Sequence, residues 1–222
     1  MKRSAWTVAV LAAAALAAAG CDSAPISLPV SGSGNVVEKV RDVAPFERIA
    51  VGGAVRLEVD AGPRRVVVVG DDNVVPLVAT EVHGKTLRIS QESSFSLRSG
   101  REITVRVTTP NLAAVEIGGA AKGDVRGVAG PRFEVSVGGA AAMDVAGKTD
   151  DLVIKITGAA SIDAASLEAK RADVDVSGAG RVKVRATEAL SAKVTGLGDI
   201  RYAGDPKTVE RKILGAGHVE PL

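Results

Sequence analysis

The most regular polar row in this chain is Asp124, Asp144, Asp163, Lys183 and Arg201, one residue every 18–20 positions. Three carboxylates held one above another repel unless a positive charge or water intervenes. A Ca²⁺ ion with oxygen ligands would relieve the repulsion, and a solvated row whose side chains splay apart would do so as well. The solvated row is the favoured reading, because the repeated Gly-Asp signature of calcium-binding coils is absent. Asp124, Asp144 and Asp163 therefore stand as a candidate surface row for a ligand or cation, with no metal assigned. Stacked acids also occur in polysaccharide-cleaving enzymes, which pair them with basic residues and aromatic platforms. Beyond Trp6, near the N-terminus, the only aromatic residues are Phe46, Phe95, Phe133 and Tyr202, and Phe46 and Phe133 read as core. The other chemistry-bearing residues form no constellation. Gly84-Lys85-Thr86 looks like the end of a phosphate-binding loop, but the position five before Gly84 is Ala79. His83 and His218 lie in separate turns without metal-ligand spacing. No nucleophile-elbow motif occurs. The expectation is a protein without catalytic residues and without a cofactor.

The spacing of the acidic row points to what positions it. Val135-Ser136-Val137-Gly138-Gly139-Ala140-Ala141 recurs along the chain. Counting on its second glycine, the copies stand at Gly119, Gly139, Gly158, Gly178, Gly196 and Gly215, with a related corner at Gly53. A fixed period of 18–20 residues is the mark of a solenoid. Two positions before the corner stand Ile117, Val137, Ile156, Val176, Val194 and Ile213. Four before stand Val115, Val135, Ile154, Val174, Ala192 and Arg211. Side chains alternate faces along a strand, so both sets point inward, while Glu116, Ser136, Lys155, Asp175, Lys193 and Lys212 between them point to water. Arg211 breaks the inward pattern in the last copy, where a terminal cap is expected to be atypical. Stacked at the parallel-strand spacing, six copies make a coil about 25–30 Å long. The corner glycines are expected to supply backbone angles closed to other residues. The residue after the corner is Ala in five of the six copies, as expected where stacking leaves room for a methyl.

Composition bounds the rest. The chain has 222 residues, 46% of them apolar and 2% aromatic, with 25 Gly, which suits a narrow aliphatic core in one domain. Setting aside Lys2 and Arg3 takes 28 basic residues to 26, equal to the 26 acidic ones. No basic face for nucleic acid is expected. Residues 1–20 read as an export signal: a basic Met1-Lys2-Arg3, then an uncharged apolar stretch, then small residues before Cys21. Two readings stay open. Either Cys21 is the diacylated first residue of a lipoprotein, or the chain is cut at an Ala-x-Ala site and Cys21 is incidental. The sole Cys stands where an anchor needs it, although Ala18 occupies a position that is more often Leu. Lipidation of Cys21 would tie the chain to the membrane. Residues 21–39 read as a flexible tether, with Val30 to Val37 either a first rung or a loop. Between 46 and 110 the strands are less regular. Arg65 to Val69 reads as buried on both sides, Pro76 argues against a central strand, and Gln91 to Arg101 reads as a mobile loop.

Gly178-Ala179-Gly180, Gly196-Leu197-Gly198-Asp199-Ile200 and Gly215-Ala216-Gly217-His218-Val219, together with the opening Phe46 to Val59 and Leu87-Arg88-Ile89, resemble the bacterial head GIN family of adhesin-like domains. The resemblance covers about residues 40–222. It implies an all-β, right-handed, single-stranded parallel β-helix on exported, often lipid-anchored proteins, and it implies no catalytic residues. The expectation is therefore a cell-envelope module that binds an envelope protein or a glycan without chemistry of its own. A purely structural envelope lipoprotein and a carbohydrate-active enzyme are the alternatives. Oligomeric state and membrane leaflet are left open.

Overall fold

The computed structural model describes residues 28–91, 95–99 and 102–222. Cys21 and the leader lie outside the described residues. The first half contains β1 (Leu28–Ser31), β2 (Val36–Arg41), β3 (Arg48–Val51), β4 (Ala54–Ala61) and β5 (Arg65–Asp71). A single 3₁₀ turn (Val75–Leu77), where Pro76 sits, leads to β6 (Val78–His83), β7 (Thr86–Gln91), β8 (Phe95–Ser99) and β9 (Thr104–Thr109). The repeats follow as β10 (Ala114–Ile117), β11 (Ala120–Val137), β12 (Ala140–Ile156), β13 (Ala159–Val176), β14 (Ala179–Val194), β15 (Leu197–Ala203), β16 (Thr208–Ile213) and β17 (Ala216–Pro221).

These strands stack in parallel as a β-solenoid. Pairing runs position for position: Val115 on Val135, Ile154, Val174 and Ala192 in turn. All five are buried. The core is one continuous aliphatic column from Phe46 to Val219. A narrow coil of alternating strands can bury Val, Ile, Leu and Ala in identical layers, so a repeat of small apolar residues suffices without aromatic bulk. Strands β11 to β14 run 16–18 residues from one corner to the next. They bend midway at register shifts, as at Val125/Val128 and Asp144/Ala146.

The corner glycines serve a purpose other than the one their type first implies. None of Gly53, Gly119, Gly139, Gly158, Gly178, Gly196 or Gly215 has positive φ. Their constraint is close approach. A Cβ on Gly119 would lie 2.5 Å from the Gly53 carbonyl oxygen, and one on Gly139, Gly158, Gly178, Gly196 or Gly215 would overlap the carbonyl oxygen of the corner glycine beneath it. The stacking itself puts them there. Ala140 N–H donates to Gly119 O at 2.9 Å, Ala159 to Gly139 O and Ala179 to Gly158 O at the same distance. Left-handed glycines occur at the mid-strand bends instead, Gly127 (φ +72°) and Gly147 (φ +143°) among them.

The first half departs from chain order. β7 pairs with β3, and β9 pairs with β4, so β7 and β9 form a rung beyond β3–β4, while β10 returns to the other side of β3. Gln91 occupies the corner position of this outer rung. Its side-chain Oε1 accepts from Ala54 N–H at 3.0 Å and its Nε2 donates to Ala54 O at 3.2 Å. A side-chain amide thus meets Ala54 N–H where later rungs use the carbonyl of the neighbouring corner glycine. β5 lies antiparallel between β2 and β9, which buries Val66, Val67 and Val68 as expected from the four-valine run.

Two expectations are corrected. The span 21–39 is not all tether: Leu28–Ser31 pairs with β8, and β2 covers β5 from Val36 onward. The link between them is held by hydrogen bonds from Ser33 N–H to Asn73 Oδ1 at 3.0 Å and from Asn73 Nδ2 to Ser31 O at 2.9 Å. Gln91 to Arg101 is not a bare loop either, since Phe95–Ser99 is that partner strand.

Candidate functional site

The strand that follows each corner carries three outward rows, one, three and five residues past the glycine. The five-past row holds the acids singled out from the sequence. Asp124 lies beside Asp144 and Asp144 beside Asp163 in strict register, so the stack is real. Lys183 and Arg201 continue above Asp163 as the spacing predicts, and two further acids lengthen the row, Glu58 below Asp124 and Glu220 above Arg201. Glu58 was legible in principle, being five residues past Gly53. Arg106, beside Glu58 in β9, could not be placed, because its rung is out of chain order.

The row is neutralised by protein charges at both ends. Arg106 Nε donates to Glu58 at 3.2 Å, and its Nη1 donates to Glu38 at 2.8 Å. At the other end Lys183 Nζ donates to Asp163 at 2.8 Å. That bond holds the Asp163 carboxyl below the usual carboxylate range, helped by the Ala165 N–H at 3.1 Å. Arg126 lies 3.4 Å from Asp124. Asp144, in the middle, has no ion pair among the described residues. A shallow hollow of about 240 Å³ runs over Asp124, Asp144 and Asp163, with Arg56 and Lys122 on its side. The acids project in parallel from adjacent rungs and do not converge. Among the described residues no three acidic, His or Cys side chains are placed to hold one metal ion.

The same logic of charge exchange between rungs repeats on the strand before each corner. Lys155 donates to Glu134 at 3.0 Å, Arg171 to Asp151 at 2.6 Å and Lys193 to Asp175 at 3.0 Å, each across one rung. The Lys155 bond lowers the Glu134 pKa, and the Arg171 bond lowers that of Asp151. Ladders of opposite charge set one rung apart let a parallel stack carry ionisable residues at a repeating position without like-charge repulsion.

The one-past row is apolar and small: Ala54, Ala120, Ala140, Ala159, Ala179, Leu197 and Ala216, all exposed. It floors two shallow grooves. One, of about 520 Å³, lies over Ala120 and Ala140 beneath Lys122 and Glu102; the other, of about 550 Å³, lies over Ala159 and Ala179 beside Arg181 and Asp199. Leu197 is the one large side chain in the row, 64% exposed. The sequence signal for this face was the alanine after each corner, which is the smallest residue that stacks there.

The remaining candidates stay apart. His83 faces Glu81 at 3.1 Å in the β6–β7 hairpin, and His218 lies in the last strand. Gly84-Lys85-Thr86 is the hairpin turn itself, with Gly84 at φ +61° and Lys85 paired to Glu47 at 2.8 Å. Neither belongs to a phosphate cradle. No helix among the described residues is long and apolar enough to cross a membrane.

A parallel coil with glycine corners and one tyrosine near its end is the geometry against which relatives can be compared. The family model "Putative auto-transporter adhesin, head GIN domain" matches residues 45–206. The chain belongs to the head GIN domain family. As a member of that family it is an adhesin-like domain. A solved structure described as a putative adhesin from Bacteroides fragilis is similar at 20% identity and TM-score 0.72, covering 87% of this chain and all of that one. Another, described as a putative lipid binding protein from Parabacteroides distasonis, is 20% identical with TM-score 0.52, covering 87% of this chain and 99% of that one. At these identities the two structures support the shared fold. Among curated proteins there is no match to the sequence.

Proposed function

We propose that this head GIN protein is a non-catalytic module of the cell envelope, anchored through a lipid on Cys21, that holds an envelope protein or a glycan against the outward rows of its coil. The observation that carries the reading is the rigid display of those rows: side chains repeat in register over seven corner positions from Gly53 to Gly215. Rigid scaffolds suit contact surfaces, because little ordering entropy is lost on binding. The family's adhesin-like character points the same way. Residues 1–20 would direct export, and diacylation of Cys21 would supply more than one acyl chain, which suffices for stable anchoring.

Two measurements test this. Mass spectrometry of the mature N-terminus is expected to find a lipidated Cys21; an unmodified residue elsewhere would remove the anchor. A glycan array and a pull-down from envelope extract are expected to yield a retained partner with no product formed. Turnover of a polysaccharide would replace the reading with an enzyme.

A further inference from the structure

We infer that the face following each corner is a self-association surface, on which two copies pack with their coils antiparallel. This goes beyond the binding reading above and does not depend on it. Three observations on that face agree. The first is the order of charge along the five-past row. Asp124, Asp144 and Asp163 are followed by Lys183 and Arg201. A two-fold axis lying along the strands, between the Asp163 and Lys183 rungs, would set this row against itself reversed. Asp163 then meets the second copy's Lys183, and Asp144 meets its Arg201. Asp144 has no ion pair of its own among the described residues, and Arg201 holds its two neighbours only at 3.4 and 3.5 Å.

The second observation is shape. The same axis maps the Leu197 rung onto the Ala140 rung. The exposed Leu197 side chain of each copy is thereby brought over the 520 Å³ groove floored by Ala120 and Ala140 in the other. One knob and one hollow, set symmetrically about the axis, satisfy the self-complementarity that an isologous interface requires. The third is polar satisfaction. Asp199, its side chain 33% exposed, is held among the described residues only by Arg201, at 3.4 Å. Lys122 has no acidic partner among them, and the axis places it one rung from the second copy's Asp199. The outermost pairing, Asp124 against Glu220, is like-charged. It lies at the rim beside Lys122 and Arg126, where water screens it.

The face extends over six rung spacings, about 29 Å, and three outward rows, about 20 Å with their side chains. That buries on the order of 1,200 Å² over both copies, at the lower end of specific interfaces. The dimer is therefore expected to be reversible at micromolar concentration, with tighter pairing where a membrane concentrates the chains.

Sedimentation of the full chain in detergent micelles is expected to show a concentration-dependent monomer–dimer equilibrium. Asp144→Arg and Arg201→Asp should each weaken it about tenfold, and the two together should restore it to within about threefold of the parent. Separately, the variant carrying both Ala140→Cys and Leu197→Cys should be linked into a dimer by a short bis-maleimide. With Cys21→Ser in every chain of this experiment, the otherwise unchanged parent and a Glu116→Cys, Lys155→Cys variant on the strand before the corner should not. The inference is overturned by a monomer at all concentrations, by charge reversals that fail to compensate, or by cross-linking of the folded Cys variant only to a species of another mass. Circular dichroism melts matching the parent confirm that each variant is folded.

Discussion

At one end of the coil, β5 and β6 lie antiparallel along the strands of the outermost rung, and Gln91 fills its corner with a side-chain amide. At the other end, β16 pairs only with β14 and β17 only with β15, and no described strand lies beyond them. The inward rows respond accordingly. Ile49, Val51, Leu87 and Ile89 are buried at the covered end, whereas Ile213 is 43% exposed in the last rung. An open strand edge is a template for further pairing, and natural sheets blunt it with charge, proline and short strands. Here the device is Arg211. It occupies an inward position, and its guanidinium lies 5.5 Å over the Tyr202 ring and 2.5 Å from the Tyr202 hydroxyl. Lys212 and Pro221 add to it on the two edge strands. A covered end gains burial; a blunted end gives up burial to stay finite.

The sharpest way to break this comparison is to place the same methyl inside the corner ladder and at its covered end. Gly139→Ala drives a Cβ into the Gly119 carbonyl, which is backbone held by the stack. A loss of at least about 4 kcal/mol in urea unfolding is expected, in the range reserved for strain and overpacking. Gly53→Ala meets only the Gln91 side chain, at 2.7 Å, which can swing away, and should cost less than half as much. Val137→Ala, removing two methyl groups from the core, should fall between them at about 2 kcal/mol. Equal effects at Gly139 and Gly53 would show that stacking does not set the requirement for glycine.

Removing the Gln91 amide should be the next largest effect. Gln91→Ala leaves Ala54 N–H and O without their side-chain partners, and a loss of about 1–2 kcal/mol is expected. Amide exchange at Ala54 should speed up, while exchange at Ala159 stays unchanged. Arg211→Val should hardly alter unfolding but should extend the inward row to the edge. The expected outcome is end-to-end association into species larger than a dimer, seen by light scattering. A chain that stays at the parent's size would mean that Arg211 is not what blunts the edge.

The smallest expected effect concerns pH. Glu134, Asp151 and Asp163 have folded pKa values lowered by Lys155, Arg171 and Lys183. Their contribution is present above the unfolded carboxylate pKa, about 4, and is lost as pH falls through the lower folded values. These pairs are substantially exposed, so the loss should be slight and should shrink further in about 1 M salt. Thermal melts between neutral and strongly acidic pH measure it.

Much of the coil was legible because a solenoid writes its geometry as a period. The alternation around Val135 and Val137 identifies the inward rows, and the 18–20-residue step puts Asp124, Asp144 and Asp163 in line from residue type and spacing alone. What was not legible depended on pairing across distance. Gln91 reads as an ordinary strand end, and only the placement of β7 beside β3 makes its amide a corner. The glycine repeat is visible in the sequence, but by residue type it implies special backbone angles, because crowding by a carbonyl of the neighbouring rung has no signature in local sequence.

By itself, then, the sequence determined the repeat, the apolar core, the outward acidic row and the atypical last copy, since each follows from side-chain type at a fixed interval. The tertiary structure alone decided the spatial order of the first rungs, the reason the corners must be glycine, and how charge is exchanged between layers. Those depend on which backbone lies on which, and non-local contact is set by the stacking of the whole chain.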